Sequence, residues 1–146
     1  MLLSNGELYS FGEGSYSELG LGKPYYRLLT PTRVEGNWKN LRKISAGFMH
    51  TLALNDQGEF YSWGSGRFGV LGSGDQANIV SPETINVGMP EISSLSDMVY
   101  RSSPVAHSLT KEVEPVQKKP ELGFLDIAAG KYHSLFVQKG AAYSCG

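Results

Sequence analysis

Residues 6–22, GELYSFGEGSYSELGLG, align without a gap to residues 58–74, GEFYSWGSGRFGVLGSG, and nine of the seventeen positions are identical. Unrelated segments of ordinary composition would share roughly one or two. The shared residues are Gly6/Gly58, Glu7/Glu59, Tyr9/Tyr61, Ser10/Ser62, Gly12/Gly64, Gly14/Gly66, Leu19/Leu71, Gly20/Gly72 and Gly22/Gly74, all at an offset of 52. Thr30-Pro31 and Ser81-Pro82 prolong the match at an offset of 51. Self-similarity of this period restricts the chain to an array in which each unit is one supersecondary element that buries its apolar faces against the next.

A second correspondence links the middle of the chain to its end. Ile44, Ala46, Gly47, His50 and Leu52 recur as Ile127, Ala129, Gly130, His133 and Leu135, an offset of 83, and Gly58, Tyr61, Ser62 and Gly64 recur as Gly140, Tyr143, Ser144 and Gly146, an offset of 82. With a unit of about 51 residues, an insertion of about 31 lies between Gly88 and Gly123. The units expected are 1–40, 41–91 and 123–146, with the insertion at 92–122.

Each unit reads as short strands. His50-Thr51-Leu52-Ala53-Leu54 alternates in β fashion, Asn55-Asp56-Gln57-Gly58 is a turn closed by glycine, and Glu59-Phe60-Tyr61-Ser62-Trp63 pairs back. Ile44 to Gly47 is a brief strand, Gly64 to Gly74 a glycine-punctuated loop around Leu71, and Pro82 to Val87 an edge strand, where proline is tolerated. Glycine, 18 of 146 residues, falls between these aromatic and β-branched stretches, and no segment has a long 3.6-residue apolar period. The fold class is therefore all-β, a partial β-propeller of antiparallel four-stranded blades with an inserted irregular segment and almost no helix.

The residues that repeat also resemble a known family. A-G-x-x-H-[TS]-L at 46–52 and 129–135, G-E-[LF]-Y-S-[FW]-G at 6–12 and 58–64, and L-G-x-G at 19–22 and 71–74 are similar to the regulator of chromosome condensation repeat family. That resemblance implies a seven-bladed β-propeller. Kelch repeats would show a double glycine, and the Trp-Asp signature of WD-repeat propellers is missing. The A-G-x-x-H strand that should precede the first G-E-L-Y-S is absent, and the chain stops at Gly146. Seven such units require roughly 350 residues, so the chain is read as a fragment whose function belongs to a longer protein.

Charges of +13 and −14 give no reason to expect nucleic acid or an anionic membrane as partner. No apolar run approaches the roughly 20 residues of a membrane span. Met1-Leu2-Leu3 runs at once into Ser4-Asn5-Gly6-Glu7, which is not a signal peptide. A single cysteine, Cys145, cannot form an internal disulfide and suits a reducing compartment. The expected location is intracellular, cytoplasmic or nuclear.

Catalytic signatures are not found: no G-x-S-x-G elbow, C-x-x-C, H-E-x-x-H or phosphate loop occurs, and Gly12-Glu13-Gly14 does not open a helix. No catalytic residue, metal or cofactor is assigned, and no catalytic activity of the chain's own is expected. His50 and His133 occupy one repeat position, which favours structure over chemistry, each ring bonding a backbone carbonyl of its own blade. Gly47, Gly130, Tyr61 and Gly64 belong to the same structural motif. Tyr9, Tyr61 and Tyr143 read as packing between sheets. Cys145 stands where Phe11 and Trp63 stand in the other units and reads as a small apolar residue. His107, in Ala106-His107-Ser108-Leu109, lacks the preceding glycine and reads as coincidence.

Partner binding is the expected task. Tyr16 and Phe68 align between glycines as exposed aromatic anchors, beside Glu13, Glu18 and Arg67; burial as loop plugs is the alternative. The insertion carries Ser, Pro and Glu with Lys111, Lys118 and Lys119, the composition of a disordered excursion or of a partner-binding arm. What the resemblance implies is a protein-interaction propeller. It also allows guanine-nucleotide exchange on a Ran-like small GTPase, or a propeller domain severed from a multidomain ubiquitin ligase or kinase.

Overall fold

A computed structural model describes residues 1–86, 125–138 and 140–146, all belonging to one compact unit. Residues 92–122, read from the sequence as an insertion, with their three lysines and His107, lie outside the described residues. Among the described residues, nine strands form three antiparallel sheets. The first sheet pairs β1 (Leu8–Gly14) with β2 (Tyr25–Val34). The second runs β3 (Leu41–Ala46), β4 (His50–Asn55), β5 (Phe60–Gly64), β6 (Ile79–Ile85), in spatial as in chain order. The third is β7 (Asp126–Ala129), β8 (Ser134–Gln138), β9 (Ala141–Cys145). The sole helical element among the described residues is a 3₁₀ turn at Arg67–Gly69.

The sheets superpose on the repeat. β1 and β2 stand where β5 and β6 stand one unit later, and β7, β8 and β9 repeat β3, β4 and β5. Leu2 bridges Leu8 as Leu54 pairs with Phe60, so Met1–Leu3 takes the place of Ala53–Asn55. Four strands are present in the second sheet alone; the first has two and the third three.

Successive sheets pack through two apolar layers. Between the first and second lie Leu8, Val34, Ala53, Tyr61, Trp63 and Leu71; between the second and third lie Leu52, Leu54, Phe60, Ile85, Ile127 and Phe136. Odd and even residues of β4 and β5 enter opposite layers, as the two-residue period of a strand requires. All five residues of β5, Phe-Tyr-Ser-Trp-Gly, are therefore buried, since this sheet has a neighbour on each side. Phe60 and Phe136 meet edge to face, centroids 5.5 Å apart at 87°, and each such fully buried side chain contributes about 1.5–3 kcal/mol.

Two boundaries differ from the sequence reading. β3 begins at Leu41 rather than Ile44, because Leu41 pairs with Asn55 at the far end of the hairpin. β6 begins at Ile79, three residues before Pro82. Pro82 is tolerated there because β6 lies at the sheet's edge, where a missing N–H costs no ladder bond.

The Asn55–Glu59 turn is set by Asn55, whose buried side chain accepts from the Gln57 and Glu59 N–H groups at 3.0 and 2.8 Å and donates to the Glu59 carboxylate at 2.6 Å. The same carboxylate accepts from the Tyr61 hydroxyl at 2.7 Å. Burial, then this carboxylate, push the Tyr61 phenol up to about 12.

Candidate functional site

The sheets are latched to each other by hydrogen bonds that recur with the repeat. The Glu18 carbonyl accepts from Thr51 Oγ1 at 3.0 Å and from Trp63 Nε1 at 2.9 Å, both on the second sheet. One unit later the Val70 carbonyl accepts from Ser134 Oγ at 2.7 Å and Cys145 Sγ at 3.5 Å, both on the third. Val70 is Glu18 shifted by 52, Ser134 is Thr51 shifted by 83 and Cys145 is Trp63 shifted by 82, so one device is written twice. Lys43 and Asp126, also equivalent positions, pair across the second and third sheets. That hydrogen bond and the Ile127 N–H hold the Asp126 carboxyl below its usual range. Each of these bonds fixes the height at which one sheet sits against the next, and hence the level of their end loops.

His50 belongs to this latch. Its ring is 1% exposed, and Nε2 lies 2.9 Å from Ser134 Oγ. The Ser134 hydroxyl carries one proton and gives it to the Val70 carbonyl, so His50 Nε2 must be the protonated nitrogen and donate to Ser134. A serine held this way has no base to activate it. The expected bond to a carbonyl of its own blade is therefore corrected: the partner is a hydroxyl of the next sheet, because the ring reaches across the seam. His133, at the same repeat position, is exposed. Gly47 is required beside His50, since a Cβ there would strike the buried imidazole and the Gly130 carbonyl, whereas a Cβ on Gly130 would meet only the exposed His133 ring.

Burial, then the charge of His133, keep the His50 pKa below 6.5. The unfolded chain thus binds a proton at His50 before the folded chain does, and stability falls as the pH drops through 6.5 and below. Urea denaturation midpoints are expected to decline on acidification from about pH 7.5 to about pH 5.5, above the range where carboxylates titrate. His50→Gln, which retains a donor, should flatten this slope; an unchanged slope would show that the acid sensitivity lies elsewhere.

The end loops bring three exposed aromatic rings together. Phe48 (55% exposed) and Tyr132 (44%) come from the two A-G-x-x-H segments and Phe68 (51%) from the 3₁₀ turn. Tyr132 sits at the centre, 6.1 Å from Phe48 and 5.3 Å from Phe68, centroid to centroid and near edge-on to both. Lys131 Nζ lies 5.2 Å from the Phe48 centroid and 5.0 Å from that of Tyr132, while the Arg67 guanidinium lies 5.1 Å from that of Phe68. The Ser65 N–H donates to the Met49 carbonyl at 2.8 Å, tying the loops. Phe68 has φ 64°, a left-handed conformation that is strained for an aromatic residue and that strands and helices do not supply.

Phe48 also lines a groove of about 380 Å³ between the first and second sheets, with Glu13, Glu18, Leu19, His50 and Trp63. Tyr16 stands on the loop beyond β1, 46% exposed, its N–H held by the Glu18 carboxylate at 2.8 Å. The five residues singled out from sequence thus divide: Arg67 and Phe68 join the aromatic cluster, Glu13 and Glu18 line the adjoining groove, and Tyr16 lies on the first unit's loop. Phe48, Tyr132 and Lys131 were missed. They occupy the variable positions of A-G-x-x-H, and two aromatics and a lysine filling those positions was the available signal. Tyr61 is buried, whereas Tyr9, Tyr143 and Cys145 are half-buried.

Among the described residues, no group of three or more His, Cys, Asp or Glu is placed to hold a metal ion, and no helix is long and apolar enough to cross a membrane.

The regulator of chromosome condensation (RCC1) repeat matches residues 5–54 and 57–109, and a second description of the same repeat matches 41–70. The ultraviolet-B receptor UVR8 of Arabidopsis thaliana is 35% identical over 81 residues, covering 55% of this chain and 18% of the receptor. The human E3 ubiquitin-protein ligase HERC2 is 34% identical over 92 residues, 59% of this chain and 2% of the ligase. The chain thus spans a minor part of these relatives' length. In structure it is similar to Prp20p of Saccharomyces cerevisiae, with a TM-score of 0.65 at 20% identity over 98% of this chain and 30% of that one. Sheets that repeat in sequence, pack face to face and reuse one latch are successive propeller blades, and the chain belongs to the regulator of chromosome condensation repeat family.

Proposed function

We propose that the chain is part of a protein-interaction propeller, with residues 1–40, 41–91 and 123–146 as blade portions and 92–122 inserted between the last two. The observation that carries this reading is the exposed cluster of Phe48, Phe68 and Tyr132 on end loops of adjoining blades, continuous with the groove at Glu13 and Glu18. Rigid exposed aromatics lose little entropy on docking and are typical anchors of protein interfaces. Rings that served as core would be covered by neighbours, as Phe60 and Phe136 are. The compartment in this reading is intracellular, cytoplasmic or nuclear, in keeping with the single cysteine.

A second reading, guanine-nucleotide exchange on a Ran-like GTPase, is supported by the likeness to Prp20p, whose structure was described with its binding to Gsp1p and histones. Exchange displaces a nucleotide and needs no nucleophile or metal of the propeller's own. Similarity to HERC2 leaves room for a third context, a propeller joined to a ubiquitin ligase.

Pull-down of partners tests the first reading. Tyr16→Ala combined with Phe68→Ala should weaken partner capture by about 2 kcal/mol or more for each true anchor. Deleting residues 95–120, which contain neither an A-G-x-x-H nor a G-E-[LF]-Y-S run, should leave both folding and capture intact. Retention of every partner by the double variant with loss on deletion would move the binding element to the insertion. Accelerated nucleotide release from a recovered GTPase would put the exchange reading first.

A further inference from the structure

The aromatic cluster carries two cations, Lys131 and Arg67. Lys131 and Arg67 make no ion pair among the described residues; the pairs found there join Arg33 to Glu7 and Glu35, and Lys43 to Asp126. Instead both cations lie over ring faces of the cluster. The partner's chemistry follows from this arrangement. A second cation arriving from outside would find the negative faces of the rings already engaged and would meet two like charges. A carboxylate would meet two exposed cations seated over the rings, together with the positive edges of rings set edge to face.

We propose that the Phe48–Tyr132–Phe68 surface docks an acidic segment of a partner protein, its carboxylates on Lys131 and Arg67 and an apolar side chain between them against Tyr132 and Phe48. This inference rests on the interaction-propeller reading and names the partner class of that same face. Charge complementarity selects the acid, and the three rings select a neighbouring apolar side chain. Nucleic acid fits less well, because two cations release too few phosphate counterions to hold a duplex. Phe68 supports the assignment independently: its left-handed backbone keeps the ring at the surface beside Arg67, and strained conformations of this kind cluster at ligand clamps. The polarity of the site also has a direction. Glu13 and Glu18 line the same groove as Phe48, so the part of the segment that enters this groove is not acidic.

Fluorescence anisotropy on the full chain tests this, with a fluorescein-labelled peptide in which Asp and Glu flank a single Phe and a matched peptide with Lys and Arg in their place. The acidic peptide should bind, and the basic one should not. Lys131→Glu with Arg67→Glu should weaken the acidic peptide at least about tenfold and admit the basic one, a reversal that general loss of structure could not produce. Phe48→Ala with Tyr132→Ala should weaken the acidic peptide by a similar factor at unchanged net charge. Failure of the native chain to bind the acidic peptide, or tighter binding of the basic one, overturns the inference. Partner capture separates this from the broader reading. If the ring variants lose captured partners while the charge-reversed protein keeps them, the face docks proteins but does not select acids; if neither set loses any, the docking face itself is wrong.

Discussion

Replacing Trp63 by Ala should destabilise the protein by about 3–5 kcal/mol, the range for deleting a buried aromatic. Trp63 is 2% exposed and fills the layer between the first two sheets, with Gly20 so close to the indole that a Cβ there would lie 2.7 Å from Nε1. Two effects add: a cavity where the ring packed and the loss of its donor to the Glu18 carbonyl. That carbonyl keeps Thr51 Oγ1 as a second donor, so the hydrogen bond is the smaller share. Trp63→Phe, which retains most of the volume, should accordingly cost only about 0.5–1.5 kcal/mol through the lost bond. Chemical denaturation of the three proteins checks this; equal losses for the two variants would mean that the latch, not the packing, carries the seam.

Gly64→Ala should be nearly as damaging, and Gly12→Ala supplies its internal control. Both glycines end the G-E-[LF]-Y-S-[FW]-G strand with the same backbone, φ 110° at Gly64 and 109° at Gly12. Either alanine is strained there by about 1–3 kcal/mol. At Gly64 the new methyl would also strike the Met49 carbonyl oxygen and lie 2.8 Å from the His50 Cα, whereas at Gly12 nothing lies within 4 Å. Backbone cannot rotate away as a side chain can, so Gly64→Ala should cost a further roughly 1–3 kcal/mol. The difference between the two variants isolates the clash from the dihedral strain.

These contrasts explain what was legible in the sequence. The blade strands could be read because Gly, Tyr and Ser at fixed offsets are demanded by local events: a positive φ at Gly64, a turn at Gly58, Ser62 Oγ donating to the Leu71 carbonyl at 2.9 Å. Such demands recur from unit to unit, as Ser10 Oγ donating to the Leu19 carbonyl does, and so appear as identity. The contacts between blades leave weaker traces. Lys43 facing Asp126, and Trp63 and Cys145 serving one carbonyl position, are the same role filled by different residues, so alignment scores them as mismatches. The partner of His50 was missed for this reason, since its position marks it as structural but only the seam shows that Ser134 accepts its hydrogen bond. The proposed docking face was half legible. Phe68 and Arg67 lie in an aligned loop, whereas Phe48, Lys131 and Tyr132 lie in positions that the repeat leaves free, which is where an interface can vary without disturbing the blade.

Hydrogen–deuterium exchange on the full chain, with and without a captured partner, tests the central claim most directly. If the end-loop face docks proteins, the partner should slow exchange in peptides covering 46–50, 65–70 and 129–133, the segments that carry Phe48, Phe68 and Tyr132. Protection confined to the outer strands β2 and β6, with those three segments unchanged, would contradict it.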